Sequence, residues 1–172
     1  MEIGEERFQL KGSEETVYDY YLAHGWTDGL PIIPPTVERV EAFLSGNLRK
    51  PKEVIGILPP RWAELTVEKL AVNAVMAGCK AEYLPVLIAA IEAMCEPDFN
   101  LYGVQATTNP VGPMLVVNGP VSKKIGLKSD TGALGPGWRA NATIGRAVRL
   151  VLTNVGGGTP GDMDRATQGM PG

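Results

Sequence analysis

Three glycines within six residues, Gly132, Gly135 and Gly137, lead straight into Arg139, Asn141 and Arg146. Glycine lets a backbone turn its N–H groups toward a guest, and a helix start adds unpaired donors carrying partial positive charge. A guanidinium offers a planar fork that matches a carboxylate. The combination predicts an anion site. Arg139 and Arg146 would clamp a carboxylate, phosphate or enolate oxygen, and the amides of the Gly135, Gly137 and Asn141 stretch would stabilise developing negative charge. The G-x-x-G-x-G spacing is neither the dinucleotide fingerprint nor a Walker loop, which argues against NAD and ATP. No cofactor is specified.

Two further polar stretches resemble this one in character: Gln105-Ala-Thr107-Thr108-Asn109, and Asn118-Gly119. Hydroxyls and amides at Thr107, Thr108, Asn109 and Asn118 suit orienting a polar substrate, although each also suits an ordinary cap or turn. For proton transfer or attack the candidates are Cys79 and His24. Lys80 favours a Cys79 thiolate while a preceding helix C-terminus opposes it, and the alternative is a buried packing cysteine. His24 with Asp28 would make an imidazole–carboxylate base, or His24 would merely complement the end of its helix. Cys95 reads as structural. Glu64, Asp162 and Asp164 offer carboxylates without the spacing of a metal site, and no G-x-S-x-G elbow is present.

These residues need elements to place them. Ser13 before Glu14 and Glu15 caps a first helix running to about His24, and three prolines then hold residues 31–35 extended or turning. Thr36 caps a short helix ending near Gly46. Val54–Leu58 reads as a buried strand closed by Pro59-Pro60. Thr66 caps a helix to Ala77 with Gly78 at its end, and another spans roughly Glu82 to Cys95. Val104–Thr108 and Met114–Val117 are expected strands whose ends, as in open α/β folds, would carry ligand residues. Asn141 or Ala140 opens the last long helix, which fades at Gly156-Gly157-Gly158.

The expected class is mixed α/β, helix-rich, with a small sheet and buried apolar helices. Residues 1–12 form an N-terminal extension and residues 13–172 a single domain, within the reach of one core at 172 residues. Helices 67–77, 82–95 and 142–154 are apolar nearly all round, which predicts cover from another subunit, in a homo- or hetero-oligomer. The chain ends in a loop-like run, Gly161–Gly172, and one reading is a domain incomplete at its C-terminal end until a second subunit completes it.

The net charge of −3 is uneven. Residues 1–100 hold 16 acids and 9 bases, residues 101–172 only 3 acids and 7 bases. The basic excess coincides with the glycine-rich loop, which suits a small anionic substrate; the alternative is that these arginines pair with acids of the first half. Seven dispersed bases without a recognisable module argue against nucleic acid. The apolar run from Tyr83 to Met94 is too short to cross a membrane, Glu2, Glu5 and Glu6 oppose a signal peptide, and two cysteines fit a reducing compartment. The expectation is a cytoplasmic protein.

Four blocks carry a family resemblance: Gly25–Thr36, Thr66–Cys79, Val104–Pro110 and Gly135–Arg146. They resemble a bacterial family that occurs beside, or fused to, thioredoxin-like "UGSC" (seleno)proteins. The likeness covers the chain from about residue 14, and relatives continue past the equivalent of Gly172 into a segment with tyrosine, cysteine and glutamates. It implies a partner of thiol-redox or sulfur/selenium character and brings no defined activity. The functional expectation is an enzyme subunit, a lyase or hydrolase, acting on a carboxylate-type metabolite by elimination, addition or hydrolysis. The rivals are a non-catalytic ligand-binding subunit and a thiol-dependent lyase or transferase using Cys79.

Overall fold

Local capping chemistry sets the first half of the fold. In the computed structural model, which describes residues 7–166, helix α1 spans Glu14–Ala23 and the Ser13 hydroxyl accepts the Thr16 N–H at 3.3 Å. Helix α2, Val37–Leu44, starts where Thr36 accepts from the Arg39 N–H, and α3, Val67–Ala77, where Thr66 accepts from the Lys69 N–H at 3.1 Å. Gly78 ends α3 at φ 89°, a left-handed conformation suited to glycine, with its N–H returned to the last turn. A 3-10 turn, Ala81–Tyr83, leads into α4, Leu84–Met94, where Pro85 sits in the first turn and removes no helical hydrogen bond.

Strand β1, Val54–Leu58, pairs antiparallel with β2, Ala63–Thr66, placing Leu58 opposite Ala63 and Gly56 opposite Leu65. Gly56 lies against the end of α4: a Cβ there would come within 2.6 Å of Cys95 Sγ. Short helices α5, Leu101–Gln105, and α6, Pro120–Lys124, precede the long α7, Arg139–Asn154. The core centres on α3, which packs most extensively on α7 and also meets α2, α4 and β2. Ala71, Ala74 and Ala147 are fully buried, and their small side chains let the two long helices approach closely. The architecture is mixed and helix-rich around a two-stranded hairpin.

Three expectations change. Val104–Thr108 is not a strand: Val104 and Gln105 finish α5, and the rest is turn. Met114–Val117 has no sheet partner, although Leu115 and Val117 pack against the core while Met114 and Val116 stay exposed, the period-two alternation that suggested a strand. Among the described residues the sheet is one antiparallel hairpin, so the rule that places ligands at the ends of parallel strands has no purchase there. The last helix opens at Arg139 rather than at Ala140 or Asn141, both of which lie in its first turn. Of the three apolar helices, α3 is enclosed by α2, α4, α7 and β2 of the same chain. Among the described residues no helix is long and apolar enough to cross a membrane.

Candidate functional site

The left-handed turn at Gly78 aims the chain back across α7. Cys79 follows, its N–H bonded to the Ala74 carbonyl at 2.9 Å, and its thiol donates to the Thr143 carbonyl at 3.2 Å. The Thr143 hydroxyl donates to the Arg139 carbonyl at 2.7 Å, and Arg139 Nε donates to the Gly78 carbonyl at 3.0 Å. The ring of contacts closes the C-terminus of α3 onto the first turn of α7. A guanidinium at a helix C-terminus also meets the negative end of its dipole.

Arg139 remains exposed, has no carboxylate partner among the described residues, and keeps both terminal nitrogens available. The start of α7 receives no side-chain cap, since Trp138 stands at the capping position. Beside Cys79 a cavity of about 310 Å³ opens between α2 and α3, walled by Ile33, Phe43 and Val75, with Ala42 and Arg39 on the α2 side. Arg39 donates to the Pro34 carbonyl at 2.9 Å and likewise has no carboxylate partner among the described residues. Burial pushes the Cys79 thiol up to about 11, against the partial opposition of the Arg139 and Arg146 charges. At neutral pH it is therefore a thiol, not a thiolate.

Arg146 does something other than clamp a guest. Its Nε and Nη2 reach Asp28 Oδ2 and Oδ1 at 2.8 and 2.9 Å, and Nη2 also reaches the Pro31 carbonyl at 2.9 Å. This fork fastens the proline-rich segment to α7, and it is nearly buried, with the side chains 14% and 8% exposed. Burial pushes the Asp28 carboxyl up. Two hydrogen bonds and the charge from Arg146, with the Leu30 N–H and Thr27 hydroxyl, outweigh it and hold the carboxyl below the usual range.

With Asp28 so engaged, the imidazole–carboxylate base does not assemble. His24 stacks on Tyr20 with ring centroids 4.1 Å apart, and its Nδ1 lies 2.7 Å from the Tyr20 carbonyl oxygen. Arg149 pairs with Asp164 at 2.7 Å.

The glycine-rich loop closes largely on itself. The Ala133 N–H bonds Asp130 O and the Gly135 N–H bonds Gly132 O, both at 2.9 Å. Asn141 accepts the Lys128 N–H at 2.9 Å and donates to the Lys128 and Ala133 carbonyls, which ties the loop to α7. Gly132 and Gly137 supply positive φ values of 86° and 109° for the turns. The Gly135 N–H and the Asn141 side chain are thus engaged within the loop itself.

Thr107 accepts the Asn109 N–H in a local turn, and Thr108, Asn109 and Asn118 are exposed. No hydrogen bond among the described residues links these four to the Arg139 cluster. Nor do the described residues contain a group of three or more His, Cys, Asp or Glu side chains able to hold a metal ion.

Sequence reasoning missed Arg39 and read Gln105 only as part of a polar stretch. The first had no distinguishing neighbour in the chain. The second is buried, and its amide donates to the Pro59 and Leu152 carbonyls at 3.0 and 3.1 Å. Gly156 and Gly158 fold against that amide with no room for a Cβ, so the triple-glycine run after α7 was the available signal. No family description, curated protein or solved structure matches the chain.

Proposed function

We propose that this chain binds a small carboxylate-type metabolite at Arg139, beside Gly78 and Cys79, and serves as an enzyme subunit there. The observation that carries this reading is the state of Arg139. Its Nε is fixed on a main-chain carbonyl, its terminal nitrogens have no acid among the described residues, and it stands at an uncapped helix start. A fixed fork of that kind suits bidentate capture of a carboxylate.

If the chain itself performs elimination or addition, Cys79 acts as a proton donor, since a thiol with a pKa near 11 holds its proton at neutral pH. The rival reading, a ligand-binding subunit for a thiol-redox partner, draws support from the same chemistry: Cys79 holds its proton and is not poised to attack. The resemblance to a family that accompanies thioredoxin-like proteins points the same way.

Thermal unfolding tests the shared part. Ligands that bind only the folded state raise the midpoint by mass action. Acetate and succinate raise it above chloride at matched ionic strength; identical midpoints in all three salts contradict the proposal. Turnover by the purified chain that is lost in Cys79→Ser supports catalysis here. Turnover that appears only on adding the thioredoxin-like neighbour supports the rival.

A further inference from the structure

We infer that the guest carries a short aliphatic tail, which enters the cavity between α2 and α3 while its carboxylate lies on Arg139. The inference rests on the carboxylate reading above and extends it to a substrate class. The cavity and the cation are parts of one structure. Cys79 lines the cavity, and Arg139 Nε is bonded to the carbonyl of Gly78, the residue that precedes Cys79. Ile33, a wall of the cavity, would lie 3.7 Å from a Cβ on Gly78, the residue whose carbonyl holds Arg139 Nε.

The remaining walls, Phe43, Val75, Ala42 and Ala81, offer methyl and ring surface, against which an unsubstituted hydrocarbon end fits. The space, about 310 Å³, opens widely to solvent, so a short chain would lie along its apolar wall. Arg39 is the cation on the cavity wall itself and adds charge complementarity for an anionic guest.

The test is a titration of the full chain, followed by amide chemical shifts of Ala42, Val75 and Cys79, with acetate, butyrate and hexanoate, and with 1-hexanol as an uncharged probe. Burial of roughly 0.8 kcal/mol per methylene makes each added CH2 worth about a fourfold gain in affinity. The expected result is that gain from acetate to butyrate to hexanoate, with shifts at those three residues. Ala42 is exposed on α2, so Ala42→Phe fills the cavity without disturbing the core, and it should erase the chain-length gain; an undiminished gain in this variant overturns the tail inference.

Equal affinity for all three carboxylates overturns the tail inference and leaves the carboxylate reading standing. Binding of 1-hexanol at these residues with no carboxylate binding keeps the apolar site and overturns the carboxylate reading. No binding by any of the four overturns both.

Discussion

Asp28 and Arg146 lie 118 positions apart in the chain and meet in a two-pronged ion pair, with N–O distances of 2.8 and 2.9 Å. The pair divides the labour between two arginines that sequence alone places side by side. Arg146 is consumed in holding the proline-rich segment on α7, whereas Arg139, two turns earlier on the same helix, donates to a carbonyl and has no acid partner among the described residues. An anion clamp built on both residues is therefore reduced to one.

Removing either partner of the buried pair should strand the other charge. Asp28→Ala and Arg146→Ala are each predicted to destabilise the fold by about 3 kcal/mol, with the double variant well short of the sum. Denaturant unfolding of the three variants measures this. Additive losses below about 0.5 kcal/mol each show that the pair does not hold the segment.

The same pair sets an acid limit. A carboxyl whose folded pKa is depressed adds stability above its unfolded value of about 4 and loses that stability as pH falls through the depressed folded value. The stability of the wild-type chain should fall below about pH 4, and Asp28→Asn should be less stable at pH 7 with a shallower acid slope. Parallel pH profiles for the two proteins contradict the assignment.

Cys79 should behave as a shielded thiol. In a Cys95→Ser background its alkylation by iodoacetamide is predicted to be slow at pH 7, rising about tenfold per pH unit to pH 10 without a plateau, because burial places its pKa near 11. A plateau near pH 8 shows an activated thiolate and restores a nucleophilic role.

Gly158 is predicted to tolerate no side chain. Its Cβ position coincides with the buried Gln105 amide, which bonds to Pro59 and Leu152, so Gly158→Ala displaces that amide at a cost of about 2–3 kcal/mol. A change in unfolding free energy within 0.5 kcal/mol overturns this.

Local signals were the legible ones. Ser13, Thr36 and Thr66 cap the helices expected of them, and Gly78 ends α3, because capping depends on residues within a turn of each other. Strand β2 was hidden because it is four residues long and carries Glu64. Met114–Val117 shows the alternation of a strand without a partner to pair with, and periodicity says nothing of partners. Within the site, Arg139 and Cys79 do come together. The roles of Arg146, Asn141 and the glycines were decided by Asp28, Lys128 and turn geometry, contacts that no spacing rule encodes. Arg39 entered through the packing of α2 on α3, again a tertiary fact.

The most direct measurement is calorimetric titration of butyrate into the wild-type chain and into Arg139→Gln, with the thermal midpoint of each recorded beside it. A charge-assisted fork is worth about 1.5–3 kcal/mol, so the variant should bind roughly ten- to a hundredfold more weakly at a nearly unchanged midpoint. Equal affinity in the two proteins contradicts the assignment of Arg139 as the carboxylate anchor.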